Sequence, residues 1–179
     1  MAAEPRQMSD SIVLTGQIHA RREVNLAFQL AGKIVAGPAE VGDEIKVGQI
    51  VARLENTTEL NTCDAAQADL AAARAVLTQA QTNERRLAVL AKERAVSYMD
   101  YEDVERQMKT AREQVRAAGV PLGSAEAQLG YTVLRATADS VVVAKHAEVG
   151  EVVATGSQVI TLAQHGGLDA YFDAPARLP

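Results

Sequence analysis

The sequence predicts an α+β protein in which a small β domain is interrupted by a long antiparallel α-helical hairpin. Two observations predict this architecture: a strand-and-turn pattern that occurs twice, and a long stretch of helical periodicity between its two copies. A third observation is the scarcity of aromatic residues, since 179 residues include four Tyr, two Phe and no Trp. Aromatic side chains usually supply much of the buried area of a thick core, so thin, elongated modules are expected instead.

The repeated β unit is the first element of this prediction. Six positions of the first copy recur 108 residues later: Val41, Gly42, Ile45, Gly48, Val51 and Leu54 correspond to Val149, Gly150, Val153, Gly156, Val159 and Leu162. The segments 33–36 and 141–144 precede the two copies at the same offset. Gly42 and Gly150 are predicted to occupy turns with positive φ, where a β-carbon is unfavourable. Each copy is too small to bury its apolar face alone, so the two are expected to form a pseudo-symmetric sandwich.

The stretch 57–130 is predicted to form two helices that pack as a coiled coil, because its composition favours helix and its apolar positions alternate in steps of three and four. The seam positions are Cys63, Ala66, Leu70, Ala73, Leu77, Ala80, Glu84, Leu87 and Ala91, followed by Tyr101, Val104, Met108, Ala111, Val115, Ala118, Leu122, Ala125 and Leu129. When the two helices are folded against each other, pairs of large side chains, such as Leu77 with Val115, alternate with pairs of alanines along the seam. Glu84 fits its layer poorly and is expected to reach solvent.

Charge and capping residues place the turn of the hairpin near 93–96. Basic side chains end the first helix and acidic ones begin the second, as the helix dipoles favour. Ser97, with Asp100 three residues later, resembles a capping box that starts the second helix. The segment 119–123, Gly-Val-Pro-Leu-Gly, includes a proline that costs a helix about 3 kcal/mol. Since the seam keeps its phase across this segment, we expect a kink or local opening there, with residues 124–130 again helical.

The sequence indicates neither an enzyme nor a nucleic-acid-binding protein. The net charge is −5 with both signs interspersed, which argues against a surface for nucleic acid. His19, His146 and His165 are scattered without metal-ligand spacing, and Cys63 is a single cysteine. No glycine-rich phosphate loop or catalytic constellation stands out, so no cofactor is expected. A non-catalytic docking protein fits these observations.

Taken together, these motifs resemble the membrane fusion protein family, the periplasmic adaptors of Gram-negative tripartite efflux pumps. The two β copies resemble the halves of a biotinyl/lipoyl carrier domain, a barrel-sandwich hybrid. Residues 13–33 resemble the family's entry from a β-barrel into the first lipoyl-like half, and residues 129–138 resemble its return from hairpin to sheet. Residues 136–140 depart from the family's frequent Ala-Pro-x-Asp-Gly pattern.

The resemblance also implies a division of the chain. The expected segments are incomplete β-barrel strands at 1–24 and 165–179, a lipoyl-like β-sandwich at 25–56 and 131–164, and the α-helical hairpin at 57–130 with its tip near 93–97. Most of the barrel and a membrane-proximal domain are then expected to lie outside this sequence.

The most specific resemblance lies at the hairpin tip. Many adaptors carry an Arg, a Leu four residues on and a Ser seven further, and this trio is implicated in docking the outer-membrane channel. Here the matching residues are Arg86, Leu90 and Ser97. Arg86 and Leu90 are related as i and i+4 and so share a helix face, where they offer five hydrogen-bond donors and an apolar knob. The resemblance implies that the trio docks the channel, while Ser97 also caps its helix.

As a member of such a family, the protein is expected to link an inner-membrane transporter to an outer-membrane channel and to export drugs or other small molecules. The short hairpin and the tip trio favour an RND transporter over an ABC transporter. A homo-oligomer of six copies is expected, in the periplasm and associated with the inner membrane through an anchor outside this chain. Two alternatives are a generic coiled-coil scaffold and a biotinyl/lipoyl carrier, because Met108-Lys109 resembles a biotin acceptor dipeptide.

Overall fold

The computed structural model describes residues 16–172, and the predicted α+β class is confirmed there, with a helical hairpin flanked by β strands. The strands are β1 (Gly16–Ala20), β2 (Glu23–Ala27), β3 (Gly32–Ala36), β4 (Glu44–Ile45), β5 (Ile50–Leu54), β6 (Val133–Arg135), β7 (Ser140–Lys145), β8 (Val152–Val153), β9 (Gln158–Gln164) and β10 (Leu168–Phe172). The helices are α1 (Thr57–Lys92) and α2 (Tyr98–Tyr131). The outer parts of the predicted barrel segments, residues 1–15 and 173–179, lie outside the described residues.

Strands from both halves of the chain interleave in two four-stranded sheets. The first sheet has the order β2-β9-β7-β4 and the second has the order β6-β5-β3-β8. A shift of 108 residues converts each strand of the first sheet into the strand at the same place in the second. The predicted pseudo-symmetry is therefore confirmed, and it extends to β2 and β6, which the sequence repeat does not include.

Equivalent turns are closed by equivalent hydrogen bonds. The amide of Gly42 donates to the carbonyl of Val142 at 2.9 Å, and the amide of Gly150 donates to the carbonyl of Ile34 at 2.8 Å. The φ angles of the two glycines are 95° and 98°, so the predicted positive φ is confirmed. In both bonds the donor and the acceptor belong to different halves, and neither half completes this turn alone.

A single apolar core lies between the two sheets. Its large side chains that are at most 2% exposed include Phe28, Ile34, Val51, Leu54 and Val142. They come from strands and adjoining turns of both halves. Burial of apolar area in this core is what holds the interleaved halves together.

An ion-pair bridge also joins the two halves. The Lys145 ammonium lies 2.9 Å from a carboxylate oxygen of Glu148 and 3.1 Å from one of Glu40, and its side chain is only 12% exposed. Glu40 and Glu148 are equivalent positions of the repeat, whereas the position equivalent to Lys145 is Gly37. The hydrogen bonds from Lys145 to Glu148 and then to Glu40 raise the pKa of the lysine above its ordinary value.

The seam of the hairpin follows its prediction, since all eighteen predicted positions are buried or half-buried. The expectation for Glu84 is wrong. Its side chain is half-buried, and its carboxylate accepts a hydrogen bond from the Tyr101 hydroxyl at 3.1 Å. Tyrosine is long enough to reach across the seam from the facing helix, so the carboxylate gains a donor without turning to solvent. The same hydrogen bond raises the pKa of Tyr101.

Helix α2 is continuous through the Gly119–Gly123 segment. Of the two predicted alternatives, a kink or a local opening, the opening is therefore wrong, and residues 124–130 are helical as expected. Residues Tyr98–Tyr131 are all helical, with Pro121 inside the helix. Proline lacks the N–H that would bond the carbonyl of Ala117, but both residues are exposed, and water can satisfy that carbonyl. Leu122, about 100° farther round the helix, stays in the seam. Packing against α1 therefore outweighs the local cost of proline.

The base of the hairpin is fixed to a pair of neighbouring strands. Two residues join β5 to α1, and Thr132 joins α2 to β6, which pairs antiparallel with β5. The Leu54 amide donates to the Thr132 carbonyl at 2.8 Å. The buried Thr132 hydroxyl donates to the Leu129 carbonyl at 2.7 Å. Both helices thus leave the sandwich at one hydrogen-bonded point.

Within residues 16–172, neither helix combines the length and the apolar content needed to cross a bilayer.

Candidate docking site at the hairpin tip

The turn between the helices closes as a Schellman motif. The amide of Arg94 donates to the carbonyl of Ala91 at 3.1 Å, and the amide of Ala95 donates to the carbonyl of Leu90 at 2.9 Å. These two bonds satisfy carbonyls that the last turn of α1 leaves without partners. The motif requires a left-handed residue, which is Arg94 with a φ of 56°. The turn therefore lies at residues 93–97, in agreement with the charge pattern of the sequence.

Ser97 is the N-cap of α2, as the sequence predicts. Its backbone is extended, with φ of −67° and ψ of 145°, and its hydroxyl accepts a hydrogen bond from the amide of Met99 at 3.3 Å. A capping box would instead place this bond on the amide of Asp100. Ser97 thus has a structural role at the tip, and its role in docking stays a prediction.

Arg86 and Leu90 lie on successive turns of α1, on one flank of the seam. The Arg86 guanidinium donates to the Asn83 side-chain oxygen at 2.5 Å, one turn farther from the tip. The Leu90 side chain is 36% exposed, and its carbonyl is the acceptor that closes the turn. The structure therefore brings Arg86 and Leu90 onto one flank and places Ser97 across the turn, at the start of α2.

Sequence reasoning missed three exposed apolar side chains beside the trio. Val89 is 56% exposed, Tyr98 is 73% exposed and Met99 is 74% exposed. A large apolar group in water is unfavourable, and several together indicate an interaction site. The available signal was their position, because all three lie next to the predicted turn and outside the seam register. We call the five residues Arg86, Val89, Leu90, Tyr98 and Met99 the tip surface.

The charges at the tip are separated between the two helices. The last turns of α1 and the turn itself carry the basic residues Arg85, Arg86, Lys92 and Arg94, and the first turns of α2 carry the acidic residues Asp100, Glu102, Asp103 and Glu105. Two of the acidic residues are paired within α2, Asp103 with Arg106 and Glu105 with Lys109. Apart from its C-cap, Glu93, the end of α1 is therefore the basic side of the tip.

The residues considered for other chemistry lie elsewhere. Lys109, the possible acceptor in the carrier alternative, lies inside α2 and pairs with Glu105 at 2.7 Å, rather than on a tight β-turn. The His146 ring nitrogen Nε2 lies 2.8 Å from the buried Thr161 hydroxyl. Cys63 is half-buried in the seam. Among residues 16–172, no group of three or more His, Cys, Asp or Glu side chains could hold a metal ion.

The chain resembles known proteins in sequence and in fold. Residues 62–132 match the model of a family described as "RND MFP, alpha-helical hairpin domain". Multidrug resistance protein MdtA of Shigella boydii serotype 18 is 25% identical over 162 residues, which cover 89% of this chain and 39% of MdtA. The chain thus spans about two fifths of the length of this relative.

Two solved structures share the fold. MacA from Actinobacillus actinomycetemcomitans superposes with a TM-score of 0.68 at 25% identity, covering 88% of this chain and 54% of MacA. The membrane fusion protein Spr0693 from Streptococcus pneumoniae R6 gives a TM-score of 0.64 at 19% identity, covering 89% and 67% of the two chains, a likeness of fold alone. With an inserted hairpin of matching type on the same β scaffold, the chain is similar in sequence and in fold to the membrane fusion protein family of periplasmic adaptors.

Proposed function

We propose that the protein acts as the periplasmic adaptor subunit of a tripartite efflux pump and docks an outer-membrane channel through its tip surface. The observation that supports this role is the set of exposed apolar side chains on both sides of the turn, near an arginine in the last turns of a 36-residue helix. Export of drugs or other small molecules is the function we propose for the pump, because MdtA is described as a multidrug resistance protein.

The transporter that we propose on the inner-membrane side is of the RND type, since the matching family model carries that description. An ABC transporter is the alternative. Six copies would present their tips together in a ring, so that small individual contacts add up to a stable junction. The full-length protein would then work in the periplasm, associated with the inner membrane.

We also propose that residues 25–56 and 131–164 act as one lipoyl-like unit, and that 1–24 and 165–179 belong to an adjoining β-barrel. In support, β1 and β10 pair only with each other and form a separate two-stranded sheet among the described strands. The first sheet does begin slightly earlier than this division, because β2 starts at Glu23.

The proposed mechanism involves no chemical turnover. Docking removes Val89, Leu90, Tyr98 and Met99 from water, which is favourable by about 25 cal/mol for each Å² of apolar area buried. Arg86 exchanges its exposed hydrogen bond with Asn83 for acceptors on the channel, an exchange that costs little because water already competes for the existing bond. The adaptor then seals the conduit and transmits motion of the transporter.

Export by the native host tests this proposal. The full-length protein carrying Leu90→Asp or Arg86→Asp should lose resistance to a panel of dyes and antibiotics while its cellular level stays normal. Val76→Asp is a matched control, because Val76 is 51% exposed on the same helix. It lies about 20 Å from Leu90 at the ordinary helical rise. Full resistance in the Leu90→Asp strain would refute docking through the tip.

Crosslinking in cells identifies the partner. A photoreactive amino acid at position 99, which is 74% exposed as Met, should capture an outer-membrane channel protein, identified by mass spectrometry of the product. The same group at position 76 should not capture that channel. Products that contain only other copies of this chain would contradict channel docking.

A further inference from the structure

Arg94 combines a strained backbone with an exposed side chain at the apex of the tip. Its φ of 56° lies in the left-handed region, where a β-carbon is unfavourable. Within residues 16–172, every other residue with positive φ is a glycine. The corresponding position of a Schellman motif is also most often glycine. An arginine there makes the turn less stable than the chain could make it.

In the described part of the chain, the Arg94 side chain makes no bond that would offset this backbone strain. Among the described residues, no hydrogen bond or ion pair holds the Arg94 guanidinium. Arg86 and Arg106 differ, since Arg86 bonds to Asn83 and Arg106 pairs with Asp103, whereas the Arg85 side chain also has no such partner among the described residues. The five donors of Arg94 therefore remain available to another molecule.

The turn also holds Arg94 in a defined place. Its own amide is bonded to Ala91, and the next amide is bonded to the carbonyl of Leu90, so the backbone on both sides of its α-carbon is fixed. Arg94 thus follows Leu90 by one closed turn and precedes the cap at Ser97. A donor on a fixed backbone loses less conformational entropy on binding than one on a frayed end.

We propose that Arg94 is a further docking residue, whose guanidinium donates hydrogen bonds to oxygen acceptors on the partner that meets the tip. This inference rests on the proposed function of the tip surface and adds a contact outside the trio. The acceptors are backbone carbonyls or carboxylates exposed at the end of the partner. Arginine suits both, because its planar fork can bind two oxygens at once.

The variant Arg94→Gly tests the proposal by two effects of opposite sign. Glycine relieves the strain, so the thermal midpoint of the helical circular dichroism signal of the full chain should rise by about 2 °C or more. Glycine also removes the donors, so the yield of the channel crosslink from position 99 in the full-length protein should fall. A hydrogen bond to a charged group corresponds to roughly tenfold or more in affinity, which sets the expected loss.

Three further variants sharpen the result. Lys92→Ala removes one positive charge from the neighbouring last residue of α1 and should leave the crosslink yield within about twofold, since a single exposed charge contributes little to binding. Arg94→Lys keeps the charge and Arg94→Gln keeps neutral donors. A higher yield with lysine indicates carboxylate acceptors, and a higher yield with glutamine indicates carbonyls.

Two outcomes would overturn the proposal. One is an Arg94→Gly protein with a raised midpoint and an unchanged crosslink yield, which would give Arg94 no part in docking. The other is a Lys92→Ala protein that loses as much crosslink yield as Arg94→Gly. The loss would then reflect the removal of any positive charge at the tip and not a contact made by Arg94. If Leu90→Asp abolishes the crosslink while Arg94→Gly preserves it, the function of the tip stands and only this inference fails.

Discussion

Replacing Pro121 by alanine should stabilise the hairpin substantially. Proline in a helix interior is about 3 kcal/mol less favourable than alanine, because it removes one backbone hydrogen bond and its ring crowds the preceding turn. The structure retains this cost, since α2 is helical on both sides of Pro121. Pro121 is exposed, so its replacement sacrifices little packing. We therefore expect the free energy of unfolding to rise by about 2–3 kcal/mol.

Urea unfolding of the full chain, followed by circular dichroism at 222 nm, measures this gain as a higher midpoint. Gly123→Ala should add about 1 kcal/mol by the same helix propensity, because a β-carbon at Gly123 meets no atom within 4 Å. Val120→Ala is the control. Val120 is 71% exposed, so its replacement changes only helix propensity, by roughly half a kcal/mol or less.

A Pro121→Ala protein no more stable than the native chain would refute this reasoning. It would mean that the helix does not continue through residue 121, as an opening at Gly119–Gly123 would require. If Gly123→Ala raised the free energy of unfolding and Pro121→Ala did not, the helix would be intact at Gly123 and open at the proline.

Two further predictions concern the sandwich. Lys145→Met should be less stable than the native chain at neutral pH, and this difference should shrink as the pH rises past about 10.5. The reason is that the pKa of Lys145 is raised in the folded state, so its contribution to stability is complete below the ordinary pKa of 10.5 and is lost above the folded pKa. A difference between the two urea midpoints that stays constant with pH would contradict this. Gly150→Ala should lower the free energy of unfolding in urea by about 1–2 kcal/mol, because φ is 98° there and the strain of a β-carbon is not offset by new contacts in the open space around it. Gly42→Ala should lower it by the same amount, because φ is 95° at the equivalent turn. Unequal losses would contradict the equivalence of the two turns.

Much of the hairpin could be predicted from the sequence, because a long periodic pattern specifies which face of each helix is buried. Ser97 was also predictable, since a cap is a local signal. The continuity at Pro121 was not, because it depends on packing against the facing helix, which outweighs local propensity. The Glu84–Tyr101 bond was hidden for a related reason: it joins different layers of the seam and depends on the length of the tyrosine side chain.

For the sandwich, the sequence repeat located equivalent turns but not the full symmetry. β2 and β6 are equivalent in their pairing, yet their sequences, Glu-Val-Asn-Leu-Ala and Val-Leu-Arg, share too little for a pattern to connect them. At the tip, the left-handed conformation of Arg94 was also invisible, because arginine does not signal a turn of that kind. The docking roles of Arg86, Leu90 and Ser97 remain predictions.

The attachment of both helices to the β5–β6 pair makes the hairpin a lever. At about 1.5 Å per residue, the 36 residues of α1 span roughly 54 Å from base to tip. A rotation of the strand pair by about 5° therefore moves the tip by about 5 Å, close to the rise of one helical turn. A small reorientation of the sandwich, which leaves its own hydrogen bonds in place, is thus amplified along the hairpin. At the tip, the resulting movement is large enough to bring a side chain into or out of contact.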